Sequence, residues 1–201
     1  MTDRLWQYIT PGIPDDLFEQ IPGIPMTQRE VRLLMIAALR LELDSVVWDI
    51  GAGTGTIPVE TGLLCPKGKI IAIERDEEVA NLIRHNCEIF GVPNVQIVEG
   101  SAPECLAAIQ DKPQRVCIEG GRYLAEILQA VWLLLPTHGR VVVTASNLEN
   151  LFSVLNTFDQ LHGRQVEVVQ AAINRLEMRG TNRSLVAVDP IFILSAEKLD
   201  T

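Results

Sequence analysis

The stretch Val46–Thr56, VVWDIGAGTGT, constrains this chain more than any other. An apolar run, Val46-Val47-Trp48, meets Asp49 and Ile50, and glycines follow at alternate positions: Gly51, Gly53 and Gly55. A short β-branched run bounded by glycines reads as a buried parallel strand entering a tight turn. Glycine is needed where the backbone takes positive φ or where a ligand must approach with no Cβ in the way. Thr56 then opens a helix whose free N–H groups and positive dipole end face the same space. A dinucleotide fingerprint spaces its glycines G-x-G-x-x-G beside a pyrophosphate. The G-x-G-x-G spacing here suits a ligand that sets no phosphate against the backbone. Alone, the loop fits any strand-to-helix turn of an α/β protein.

The rest of the chain supplies the context. From residue 45, strands and helices alternate: strands at 45–50, 69–74, 95–99, 114–119 and 139–145, helices at 56–64, 77–90, 122–135 and 148–161, and a short helix near 103–109. Such alternation calls for a parallel sheet covered by helices on both faces. Two final strands, about 164–174 and 184–195, have no helix between them. Their link, Glu177–Arg183, suits a hairpin, so the last pair is read as antiparallel.

Composition narrows the function classes. At 201 residues the chain can bury a substantial core. Net charge is −9, and no Lys/Arg cluster is visible, which speaks against a nucleic-acid partner. No apolar run approaches a membrane span and no signal peptide is apparent, so a cytoplasmic location is expected. The four cysteines, Cys65, Cys87, Cys105 and Cys117, include no C-x-x-C pair. They are read as free thiols, with no metal site.

Residues 1–25 carry Pro11, Pro14, Pro22 and Pro25, yet also Leu5, Trp6, Leu17 and Phe18. We read them as an ordered arm lying across a single domain of residues 26–201. Thr27 and Glu30 fit a capping box for the helix that follows. Arg29 and Arg32 share one face near that helix start, where cations gain nothing from the dipole and hint at an anionic ligand.

Candidate site residues gather where strands end. Glu74 closes the second strand, 23 residues after Gly51, where a carboxylate can accept both hydroxyls of a ribose. Asp76 fits the cap of the next helix, leaving Glu74 for that task. After the third strand, Gly100 lets backbone approach a flat ring, and Ser101 and Ala102 offer backbone groups to it. The fourth strand ends Glu119-Gly120-Gly121-Arg122. Its two glycines leave room for a large flat substrate, and Arg122 is placed to meet a carboxylate.

Together, Ile24–Arg32 (IPMTQREVR), Trp48–Gly55, Gly100–Glu104 and Gly120-Gly121 resemble the CbiT family, the decarboxylating precorrin methyltransferases of cobalamin biosynthesis. The resemblance covers residues about 15 to 195. Gln28 stands where Lys is usual, Ser101 where Asp is frequent, and Arg122-Tyr123 where smaller residues are common. The resemblance implies a Rossmann-like class I methyltransferase fold, seven strands with an antiparallel C-terminal pair, and S-adenosyl-L-methionine as methyl donor. It implies methylation of meso carbon 15 of the macrocycle, coupled to loss of the ring-C acetate carboxylate as carbon dioxide. Cofactor contacts are expected from Thr27, Asp49, Gly51, Gly53, Thr54, Gly55, Glu74, Arg75, Ser101 and Ala102. Substrate contacts are expected from Gly120 and Gly121, with Arg29, Arg32, Arg122, Arg179 and Arg183 as carboxylate anchors. The catalytic groups are left unassigned. The resemblance also implies a homotetramer and a separate C5-methyltransferase partner. Alternatives are a tRNA adenosine or protein isoaspartate methyltransferase, and an inactive cofactor-binding subunit.

Overall fold

The computed structural model describes residues 5–199, apart from the side chain of Arg179. The arm begins irregularly, makes a 3-10 turn at Asp15–Leu17 and leads to α1, Arg29–Leu39. Five parallel strands follow: β1 (Val46–Ile50), β2 (Lys69–Glu74), β3 (Val95–Glu99), β4 (Arg115–Glu119) and β5 (Arg140–Ala145). They are linked by α2 (Thr56–Leu64), α3 (Glu77–Phe90), a 3-10 turn at Leu106–Ala108 and α4 (Leu124–Leu134), with α5 (Leu148–Gln160) after β5. β9 (Ile191–Glu197) pairs antiparallel with β5, and β6 (Arg164–Ala171) pairs antiparallel with β9. The sheet order is β3-β2-β1-β4-β5-β9-β6.

The C-terminal region corrects the reading from sequence. Two strands were expected, at about 164–174 and 184–195; there are four. The expected hairpin link lies within β7 (Asn174–Arg179) and β8 (Asn182–Ala187), a ribbon separate from the main sheet. Gly180 takes positive φ, +64°, at its turn. The ribbon exposes Leu176, Met178 and Leu185, and the edge strand β6 exposes Val166, Val168 and Val169.

Side-chain alternation divides the core between the two faces of the sheet. Trp48, Ile50, Ile71, Ile73, Ile118 and Val143 pack with Leu128, Val131 and Phe158 from α4 and α5. On the other face, Val47, Ile70, Cys117 and Val142 meet Val31, Met35 and Leu39 of α1. Ala72 and Val59 pack there with Ile83 and Phe90 of α3 and with Ile13 and Phe18 of the arm. The arm is therefore part of the core, as its apolar residues require.

A buried ion cluster holds it there. Arg32, fully buried, donates from Nε to Glu60 Oε1 at 2.5 Å, and from its terminal nitrogens to Asp15, the Thr27 carbonyl and the Ile13 carbonyl. Glu60 also accepts the backbone N–H groups of Gly12 and Ile13. The expected capping box does not form. Gln28 is the N-cap and makes no side-chain cap bond. Glu30 instead pairs with Arg175 of β7, which also reaches Asp15, so the base of the ribbon is tied to α1 and the arm. That pairing pulls the Glu30 carboxyl down to about 2. Asp76, by contrast, caps α3 as its local sequence indicates, accepting from Glu78 N and Val79 N.

Candidate functional site

The parallel strands end along one edge, and β1 is flanked by β2 on one side and β4 on the other, where the chain reverses direction of strand addition. Such a switch point leaves a crevice beyond the strand ends. A cavity of about 1240 Å³ opens there. Its walls come from Ile24–Gln28, Gly51–Thr54, Glu74–Asp76, Gly100–Ala102 and Glu119–Tyr123, closed by Thr144, Ser146, Val188, Asp189 and Ile191.

The glycine loop is tight for separate reasons at each position. Gly51 (φ +79°) would set a Cβ 3.2 Å from the Glu119 carbonyl oxygen, and Gly53 (φ +51°) one 3.2 Å from that of Pro25. The Thr54 hydroxyl donates to that same Pro25 carbonyl at 3.1 Å, so loop and arm are locked together. Gly55 corrects an expectation. It is absent from the cavity wall, and a Cβ there would meet Ile83 of α3 at 3.0 Å. It serves helix packing. Gly100 lies on the wall, and it has a packing reason as well: an added Cβ would lie 2.8 Å from that of Cys105.

Carboxylates dominate the charge around the loop. Glu74 lines the cavity and accepts from Gly53 N at 3.2 Å, Arg75 N at 2.8 Å and Asp76 N at 3.2 Å. Asp49 lies fully buried beneath the loop with both carboxylate oxygens lacking a hydrogen-bond partner. Burial, then the nearby charges of Glu119 and Glu74, hold its carboxyl well above the usual range. Glu119, at the tip of β4, accepts a hydrogen bond from the Thr27 hydroxyl. Burial raises it to about 7, against the lowering effects of that bond and of Arg32. An orphaned buried carboxylate pair of oxygens, a backbone cradle that a Cβ would fill, and three acids in a row fit a cationic ligand with hydroxyls to bind.

The other expected residues divide. Thr27, Arg75, Ser101, Ala102, Gly120, Gly121 and Arg122 line the cavity. Gly120 and Gly121 take positive φ, and a Cβ at either would meet nothing within 4 Å, so open space lies beyond them. Arg32 is not a substrate anchor: its guanidinium is consumed by the arm clasp. Arg29 pairs with Glu30 and does not line the cavity, nor does the exposed Arg183 of β8. Arg179 lies on β7, but its side chain falls outside the described residues. The sequence reading missed Thr144, Ser146, Val188 and Asp189, which reach the site from β5 and from the link before β9. No local pattern marks them. It also missed Glu119, which was visible as an acid at a strand end.

Known proteins resemble this chain along nearly its whole length. Residues 16–198 match the family model of the precorrin methyltransferase domain. A probable cobalt-precorrin-6B C(15)-methyltransferase (decarboxylating) from Saccharolobus solfataricus is 38% identical over 196 residues, 96% of this chain and 98% of that protein. The crystal structure of a precorrin-6y C5,15-methyltransferase from Geobacter metallireducens superposes with a TM-score of 0.87 at 34% identity, covering 94% of this chain and 98% of that one. The precorrin 8w decarboxylase of Methanobacterium thermoautotrophicum gives 0.83 at 30% identity, covering 92% and 98%.

Proposed function

The chain belongs to the precorrin methyltransferase family, and we propose that it methylates meso carbon 15 of a precorrin and removes the ring-C acetate carboxylate as carbon dioxide. The observation that carries this reading is one cavity with two unlike ends. At one end lie the glycine loop and Glu74, with the unpaired oxygens of Asp49 buried beneath that loop; at the other, Gly120-Gly121 open onto free space beside Arg122.

S-adenosyl-L-methionine supplies the methyl group on a sulfonium that needs no further activation. In this reading Glu74 takes the ribose hydroxyls, and the backbone at Gly51 and Gly53 lies against the amino-acid part. Asp49 and Glu74 complement its positive charge. Ser101 and Ala102 border the adenine, with Arg75 and Thr27 at the rim. The residues at Gly120–Tyr123 hold the macrocycle so that its meso carbon faces the methyl group. Alignment and exclusion of water provide most of the rate for such a transfer. Arg122 pairs with a substrate carboxylate.

Of the arm expected over residues 1–25, the first four lie outside the described residues; residues 5–25 act as an arm on the domain that follows, completing the cavity through Ile24 and Pro25. The exposed apolar β7–β8 ribbon and β6 edge support assembly into a homotetramer. The C5 methylation falls to a separate partner, and the enzyme works in the cytoplasm. Among the described residues no helix is long and apolar enough to cross a membrane.

The test is incubation of the purified protein with cobalt-precorrin-6B or its metal-free form and methyl-labelled cofactor. Methyl transfer accompanied by an equal yield of carbon dioxide supports the reading. Methylation without carbon dioxide, or label transferred instead to tRNA adenosine or an isoaspartyl peptide, refutes it.

A further inference from the structure

The proposed reaction moves a proton as well as a methyl group, and nothing assigned so far handles it. Methylation of a meso CH makes that carbon tetrahedral. When the acetate C–C bond breaks, carbon dioxide leaves and the electron pair enters the ring, neutralising the charge that the methyl cation brought. The side chain is then an exocyclic methylene. To reach the fully conjugated product, a proton must add to that methylene carbon and another must leave the methylated carbon. An acid that gives the first and regains the second closes the balance with no external reagent.

We propose that Glu119, held by the Thr27 hydroxyl at the tip of β4, is that acid, shuttling the proton between the two carbons. Three placements support it. Glu119 lines the cavity, and it directly precedes the Gly120-Gly121 opening. The Gly51 Cα approaches the Glu119 backbone so closely that a Cβ would lie 3.2 Å from its carbonyl oxygen, which sets the residue beside the methyl donor's seat. Among the described residues its carboxyl accepts one hydrogen bond, from Thr27 to Oε2, and forms no ion pair. A proton-exchanging acid works best when its affinity for the proton matches the ambient pH, and burial brings Glu119 to about 7. The charged and titratable groups around it are Asp49 on β1, Glu74 on β2, Cys117 on β4 itself and Arg32 on α1. Asp49 and Glu74 are the candidate cofactor contacts and Arg32 is spent on the arm, which leaves Glu119 free.

This inference rests on the proposed reaction, and the experiment separates the two. Wild-type enzyme that yields neither methylated product nor carbon dioxide sinks the reaction itself. Given an active wild type, Glu119→Gln is followed in single turnovers by mass and absorbance. The expected result is a product of full mass, methylated and decarboxylated, that lacks the long-wavelength absorption of the completed chromophore and acquires it about 10²-fold or more slowly. Glu119→Asp recovers part of that rate. Thr27→Val removes a bond that favours the ionised carboxyl, so the alkaline limb of the pH–rate profile moves up. In the protein without ligand, a carboxyl 13C resonance titrating between pH 6 and 8 is expected and is absent from Glu119→Gln. Four results overturn the proposal: wild-type chromophore formation by Glu119→Gln, accumulation of methylated but undecarboxylated product, joint loss of methyl transfer and cofactor binding, or no such carboxyl titration in the wild type. If Glu119→Gln fails to fold, the Thr27→Val profile and the wild-type titration decide it.

Discussion

Replacing Arg32 by methionine separates the two roles that its position allows. Methionine approximates the aliphatic stem but removes the guanidinium, which in the structure bonds Glu60, Asp15 and the carbonyls of Thr27 and Ile13 and stacks 5.1 Å from the Phe18 ring centroid. Glu60, 1% exposed, then keeps two backbone donors but no cation. Breaking a buried pair from one side costs about 3–5 kcal/mol, because the surviving charge stays desolvated. Two buried carbonyls also lose donors, at about 1 kcal/mol or more each, and these costs overlap rather than add. The expected loss is therefore about 4 kcal/mol, a large share of the about 5–15 kcal/mol that keeps a domain folded. Urea unfolding at pH 7 measures it through the midpoint. The double variant Arg32→Met with Glu60→Gln should regain part of the loss, since the amide oxygen still accepts a backbone N–H and no charge is stranded. A loss below about 1 kcal/mol in the single variant, or a double variant no better than the sum of the singles, refutes the clasp. So does a variant of normal stability whose sole defect is weaker substrate binding, the behaviour of an anchor.

Other outcomes follow from single contacts. Asp76→Ala leaves Glu78 N and Val79 N without their cap and should cost about 1 kcal/mol in urea or thermal unfolding. Glu74→Ala should weaken S-adenosyl-L-methionine binding about tenfold or more by calorimetry, since charge-assisted hydrogen bonds are worth about 1.5–3 kcal/mol. Unchanged affinity would remove Glu74 from the ribose. The Glu30 carboxyl, lowered to about 2 by Arg175, stabilises the fold above the unfolded-state value near 4.5. That stability drains as pH falls from 4.5 through 2, and Arg175→Ala should flatten this limb of a stability–pH curve by about 2 kcal/mol, after discounting for partial exposure.

Residues whose partners lie nearby in sequence were legible; those whose partners come from afar were not. Asp76 caps α3 because the N–H groups two and three residues on are within reach whatever the rest of the chain does. Thr27 and Glu30 carry an equally good local pattern, yet tertiary contacts outbid it. Thr27 turns to Glu119, 92 residues away, and Glu30 to Arg175, 145 residues away. The glycine loop and alternating strands were readable because burial on both faces imposes unbroken apolar runs, as in β1 and β5. β6 lacks that signal, being exposed along all but its last residue, so its end and the start of β7 merged in the sequence reading. Arg32 misled because a charge near a helix start reads as a surface feature until the arm folds over it.

Charge placement also explains how a chain of net −9 can admit a substrate rich in carboxylates. Glu74 and Glu119 line the cavity near the glycine loop, with Asp49 buried beneath it, and an anion placed beside these acids is disfavoured. In the proposed reading the macrocycle's carboxylates therefore lie away from these acids, near Arg122, which stands on the cavity wall without an acidic partner among the described residues. Of the five arginines expected from sequence, Arg32 is buried in its clasp, Arg29 and Arg183 are off the wall, and the Arg179 side chain is outside the described residues. Arg122→Gln should therefore raise the KM for precorrin about tenfold or more, with cofactor affinity unchanged, because a carboxylate–guanidinium contact acts on the substrate alone. Added salt should narrow the difference between wild type and variant, since Arg122 is exposed and its field is screened over about 10 Å at 0.1 M. Arg29→Gln, changed in the same charge but away from the wall, should leave KM within about twofold by the same screening. Equal effects from the two substitutions would mean that net charge, rather than a placed guanidinium, governs substrate capture.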